Sequence, residues 1–253
     1  MTKTIAVFNQ AGGVAKTTLV MNLGYQLVLR GHRVLLIDMD PQASLTTFMG
    51  FDVTDQDRTI YNALVSEEDE KIPILSAHQL DLSPANIILA NAEQELVLAE
   101  QRETRLKEPL AKVASHYDFI LIDCPPSLGI LSLISLVAAT HVLVPIQTQF
   151  KALMGTDSLL KTIRRVQRRL NKSLQVAGFC PTLYSASNAI DQRTLEAITA
   201  QLSLIGHIFT PIPRATALAE ASEYGKPLAL SPKKNPAVLE VFDEIAAAME
   251  QLE

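Results

Sequence analysis

The chain has 253 residues, 48% of them hydrophobic, and a formal net charge of −5. That length suits a single α/β domain spanning 1–253, and the acidic balance excludes a protein that coats nucleic acid with its whole surface, leaving a local basic patch as the route to such contact. The two cysteines, Cys124 and Cys180, lack metal-ligand spacing and read as reduced core thiols rather than a disulfide, and with no charged leader and apolar signal region at the start, secretion is not expected.

The first predicted element is an apolar strand, Thr4 to Phe8, and a glycine-bearing turn and a helix follow it. Backbone N–H groups beside a helix N-terminus favour an anion, and a Lys followed by a Thr can meet outer phosphates and a Mg²⁺ ion. Gly12, Gly13, Val14, Ala15, Lys16, Thr17 and Thr18 supply those parts. The strict pattern G-x-x-x-x-G-K-[ST] fails at two places, because Gln10 holds the first glycine position and Ala15 the second. An ordinary strand-to-helix turn is the bland alternative.

From Thr17 to Leu29, Leu19, Val20, Leu23, Leu27 and Val28 share one helical face, and Gly31 stops the helix. A strand at Arg33 to Ile37 runs into Asp38 and Asp40, and Phe51 to Leu75 reads as insertion-like surface structure with a solvated charged run at Glu67 to Lys71. Leu80 to Ser83 suits a short strand, and Ala92 to His116 carries helical spacing throughout. The strand Tyr117 to Ile122 is closed by Asp123. A helix from Leu128 to Ala139, a strand at His141 to Ile146, a helix from Thr156 to Leu170, a strand at Gln175 to Cys180 and helices at Asp191 to Leu204 and from about Ala237 complete the chain. The apolar run Leu128 to Val144 holds Ser132, Ser135, Thr140 and His141, which suits a buried helix entering a strand better than a membrane span. Alternating strands and helices predict a doubly wound, mainly parallel sheet flanked by helices.

Ligands collect at the carboxyl ends of such strands, where Asp38, Asp40 and Asp123 fall. Each could be a structural cap, but three of them beside a phosphate loop favour metal and water handling. Asp123, after Ile120-Leu-Ile, fits a carboxylate on the Mg²⁺ side while Thr17 ligates the ion directly. The loop resembles the deviant Walker A loop of the ParA/MinD family, K-G-G-V-G-K-T-T, except that Ala11 stands where the family has a second lysine. Asp38-Met-Asp40-Pro-Gln, Asp123-Cys-Pro-Pro-Ser127, Pro145-Ile-Gln-Thr148 and Ile212-Pro-Arg-Ala-Thr-Ala-Leu-Ala-Glu-Ala221 are similar to further landmarks in family order. The resemblance implies ATP/ADP and Mg²⁺ as ligands, Lys16 at the γ-phosphate, a division of water and Mg²⁺ work between Asp38 and Asp40 in either order, and base contacts from Pro213 and Arg214. It also implies an ATP-bound homodimer on nonspecific DNA, cytoplasmic and nucleoid-associated, with an adaptor of ParB type or, for the carboxysome-positioning McdA branch that the altered loop is most like, McdB.

Arg164, Arg165, Arg168, Arg169 and Lys172 form a one-sign stripe on a predicted helix, either a solvated face or a contact with phosphate backbone. Lys151, after the strand at His141, is the candidate to replace the missing lysine across a dimer, against the plainer reading of a surface loop lysine. A MinD-like membrane cycle and a nucleotide-binding module without turnover are the rivals. The segment Val238 to Glu253 has no Lys or Arg, so no membrane association is expected.

Overall fold

The computed structural model describes residues 1–55, 57–66 and 70–253, and the side chains of 55, 150 and 152–154 are left aside. The charged run expected at Glu67 to Lys71 therefore lies largely outside the described residues. The described strands are β1 (Lys3–Val7), β2 (Val34–Asp38), β3 (Leu75–Ala77), β4 (Leu80–Ser83), β5 (Phe119–Asp123), β6 (His141–Gln147) and β7 (Gln175–Thr182). They form one sheet in the order β3-β4-β2-β5-β1-β6-β7, parallel throughout except for the β3–β4 edge pair. The mainly parallel, doubly wound sheet is as expected.

Strand residues are buried on both sides because successive side chains point to opposite faces and helices cover each. Ala6, Leu35, Ile37, Ile120 and Ile122 join the core on one face, with α3 (Ile60–Val65), α4 (Leu89–Glu95), α5 (Lys107–Ala114), α6 (Ile130–Ala138), α7 (Phe150–Arg169) and α8 (Ala189–Leu202). Ile5, Val7, Leu36, Phe119 and Leu121 join the other core, with α1 (Lys16–Leu29), α2 (Ser44–Phe48), α9 (Thr216–Glu223) and α10 (Pro236–Glu250). Gly31 ends α1 as expected: at φ 92° it lets the His32 N–H donate back to the Leu27 carbonyl at 3.1 Å, which satisfies an orphan carbonyl of the last turn.

Three expectations need correction. The stretch from Ala92 to His116 is not one helix: α4 ends at Glu95, Arg102 donates to the Val97 carbonyl at 2.9 Å, and Gln101 takes a left-handed φ of 51°, which no helix can carry through. The region from Phe51 is not merely surface insertion, since α3 sends Ile60 and Leu64, both fully buried, into the core. The helix expected from Thr156 begins at Phe150, which brings its first turns beside the phosphate loop, where Gln10 donates to the Gly155 carbonyl at 3.2 Å.

Candidate nucleotide site

β1, β2 and β5 are neighbours, and their carboxyl ends make the floor of the site. Asp123 is in register with Val7 on one side and with Asp38 on the other. Between β1 and α1 the loop turns through Gly13 at φ 72° and Ala15 at φ 62°. Ala15 caps α1 with no side-chain hydrogen bond, so the first-turn N–H groups of a 14-residue helix stay open to an anion. The loop is braced from three sides. Asn9 accepts from the Ala11 N–H at 2.9 Å and donates to the Pro145 carbonyl at 2.7 Å, and Thr182 at the end of β7 donates to the Val14 carbonyl at 3.2 Å.

Lys16 is 7% exposed and folds across the loop, donating from Nζ to the Ala11 carbonyl at 2.9 Å. Burial lowers its pKa, and the nearby charges of Asp123 and Asp40 oppose that shift. Asp123 is 1% exposed and neither carboxylate oxygen has a hydrogen-bond donor. Burial, with repulsion from Asp38, pushes its pKa well up; Thr17 and Lys16 pull the other way, although the Thr17 hydroxyl does not complete a hydrogen bond to either oxygen. A buried carboxylate with two orphaned oxygens is costly unless a cation joins it, so the donor set of Asp123 and Thr17 fits Mg²⁺.

Asp38 differs. It is fully buried, yet Oδ2 accepts from both the backbone N–H (2.9 Å) and the hydroxyl (2.8 Å) of Thr46, and Oδ1 accepts from the Asp40 N–H at 3.1 Å. Desolvation raises its pKa to about 6, and these bonds hold it back. With three donors engaged, Asp38 is tied into the loop, whereas Asp123 has none and is left open to a cation. Asp40 is partly exposed, with Oδ1 accepting from the Gln42 N–H at 3.0 Å.

Beside Ala15 and Thr18 opens a cleft of about 520 Å³, walled by Thr47 and Phe48 of α2, Leu183, Arg214, and Leu218, Ser222 and Glu223 of α9. Its largely apolar wall next to a phosphate loop suits a nucleoside. Arg214 lines it; Pro213 does not, and instead pairs with Tyr184, whose carbonyl accepts from the Arg214 N–H at 2.9 Å. Lys151 is exposed in the first turn of α7, on the loop's side of the sheet. Arg164, Arg165, Arg168, Arg169 and Lys172 are exposed, and among the described residues none of them pairs with a carboxylate. They stand apart from the site: from Lys151 to Arg168 the helix rises about 26 Å. Sequence reasoning missed Thr46, Phe48 and Leu183. α2 is too short to show a period, and Leu183 takes its place through a left-handed φ of 55° that only the fold reveals.

A parallel sheet whose strand-to-helix loop offers open amides, a buried Lys and a Thr beside strand-end aspartates defines a P-loop nucleotide-binding protein. The AAA domain family matches residues 2–176, and the chain belongs to the ParA/MinD-like branch of these P-loop ATPases. It is 40% identical to the sporulation initiation inhibitor protein Soj of Bacillus subtilis, over 98% of this chain and 99% of that protein. Among solved structures it is similar to a cobyrinic acid a,c-diamide synthase from Mycobacterium smegmatis with a bound ATP analogue and magnesium, at 37% identity and a TM-score of 0.81, over 89% of this chain and 93% of that one. It also shares its fold with apo McdA from Cyanothece, at 23% identity and a TM-score of 0.88, over 98% of this chain and 100% of that one.

Proposed function

We propose that the chain is a Mg²⁺-dependent ATPase that works as a positioning switch: the ATP form is a homodimer that holds DNA without regard to sequence, and an adaptor of ParB type stimulates hydrolysis and release. The observation that carries the nucleotide part is the orphaned Asp123 carboxylate beside Lys16, Thr17 and the open start of α1. Bound there, Mg²⁺ would supply positive charge to the outer phosphates. Lys16 and the loop N–H groups bind and stabilise phosphate charge, Asp40 orients the attacking water, Asp38 holds Asp40 in place, and Arg214 borders the base. The names of the similar proteins, partition ATPases among them, support the switch.

Partition of DNA is the leading cargo reading. Carboxysome spacing with an McdB-type adaptor is a second, favoured by the loop that carries Ala11 and Ala15 in place of a lysine and a glycine. An amidating enzyme fed by glutamine is disfavoured. Releasing ammonia from glutamine through a cysteine nucleophile needs an accessible thiolate, whereas Cys124 and Cys180 are fully buried and burial raises both thiols, Cys124 to about 12. A membrane cycle is disfavoured because α10 packs its apolar side, including Val238, Phe242 and Ile245, against the α1 core.

Phosphate release by purified protein tests the proposal. Lys16→Ala should abolish nucleotide binding, and Asp40→Ala should bind MgATP but stop turnover. Equal release by wild type and Asp40→Ala would remove Asp40 from the reaction.

A further inference from the structure

Asp38 and Asp123 are paired residues on adjacent strands, both buried, yet one is surrounded by donors and the other has none. The residue that makes the difference is Thr46, itself fully buried in α2. Its hydroxyl donates to Asp38 Oδ2 at 2.8 Å and accepts from the Ala85 N–H at 3.0 Å, so both its donor and an acceptor position are used. Ala85 follows β4, where the chain turns toward α4. Asp38 in turn accepts from the Asp40 N–H. The adjoining residues of α2, Thr47 and Phe48, line the nucleoside cleft.

We propose that Thr46 is a positioning residue for ATP hydrolysis: through one hydroxyl it locks the Asp38 to Asp40 loop to the turn after β4, and so fixes the backbone from which Asp40 projects. The proposal rests on the ATPase reading above. Three separate pieces of chain, the end of β2, α2 and the end of β4, meet at this hydroxyl. Removing it leaves a buried carboxylate short of a donor and a buried N–H without an acceptor, so the loop must shift to satisfy them. Most of the substrate binding is assigned to the phosphate-loop amides and Lys16, which make no hydrogen bond to this hydroxyl.

The test compares Thr46→Val, which keeps the shape and deletes the hydroxyl, with Thr46→Ser, which keeps the hydroxyl. In amide hydrogen exchange the Asp40 and Ala85 N–H groups should lose protection together in the valine protein and regain it in the serine protein. With MgATP the valine protein should lose about 10- to 100-fold in kcat, the cost of displacing a positioned catalytic group, while the ATP dissociation constant stays within about threefold; serine should restore kcat. Should the valine protein fail to fold, Thr46→Ala removes the same hydroxyl at smaller volume. Unchanged protection at Asp40 and Ala85, or a kcat that the serine protein does not recover, would overturn the role of Thr46. A wild-type protein that releases no phosphate would overturn the ATPase reading instead, and the exchange result alone would then decide whether Thr46 locks the loop.

Discussion

At residue 15 an alanine occupies a left-handed conformation, φ 62° and ψ 32°, at the turn into α1. A Cβ in that region costs roughly 1–2 kcal/mol, while glycine there costs about 0.4–1 kcal/mol more chain entropy on folding. Ala15→Gly should therefore stabilise the protein by about 0.5–1 kcal/mol, raising Tm by about 2 °C for a domain of this size. A melting curve showing no rise would mean that the surrounding turn relieves the strain. The position also shows how far residues speak for themselves. Lys16, Thr17 and Asp123 stand out as candidates from their placement, because each is next to an apolar strand or a helix start that the sequence makes plain. Asp38 stands out in the same way, but its bonds do not: only the packing of α2 discloses the Thr46 donors that hold it.

Among the elements, α2 and α9 face one another across the cleft proposed for the nucleoside, and their far ends are pinned where Gly50 (φ 86°) meets Gly225 (φ 64°). A Cβ on Gly225 would lie 2.8 Å from the Gly50 Cα, so the two backbones touch only because both residues are glycine. The Gly225 carbonyl is also held by His78 Nε2 at 2.9 Å, from the edge hairpin. Gly225→Ala should pry α9 away from α2 and weaken ATP binding, measured by fluorescent nucleotide titration, by about tenfold, with less effect on the turnover of bound nucleotide. An unchanged affinity would place the nucleoside elsewhere. None of this corner was readable from the sequence, because α2 and α9 are short and their contact joins residues 175 positions apart. The long central strands were readable, since burial on both faces leaves unbroken apolar runs at β1, β2 and β5.

α7 carries two of the proposed functions at its two ends: Lys151 in its exposed first turn, and the exposed arginines about 26 Å away along the helix. Reversing Arg165, Arg168 and Arg169 to Glu should abolish DNA binding in a filter or anisotropy assay, while ATP turnover without DNA is kept. Wild-type binding should fall steeply with salt, because phosphate contacts release counterions. Retained affinity would assign the stripe to a solvated face and move the contact to another surface, such as the one bearing Lys226, Lys233 and Lys234.

For the molecule as a whole, the proposed switch would carry nucleotide state to the basic stripe through assembly of two copies, with α7 running from the phosphate-loop side to the stripe. Two copies joined through their nucleotide faces would bring two triphosphates close together, and Ala11 offers no charge to offset them. Lys151, exposed on that face, is the cation we assign to the task. Asp123 without a donor, Lys16 parked on a carbonyl and α1 uncapped describe a site prepared for a charged ligand that the chain alone does not satisfy. The sheet topology that brings these together was foreseeable from alternating elements; the distance between site and basic stripe was not, because it depends on α7 beginning at Phe150 instead of Thr156.

The most direct measurement is the mass in solution of the Asp40→Ala protein with MgATP, taken alongside the Lys151→Ala, Asp40→Ala double variant and with DNA affinity read on the same samples. The expected result is a dimer that binds DNA for the first protein, and for the second a monomer that still binds ATP but not DNA. A Lys151→Ala double variant that dimerises like its parent would remove Lys151 from the interface, and an Asp40→Ala protein that stays monomeric with ATP bound would contradict the switch itself.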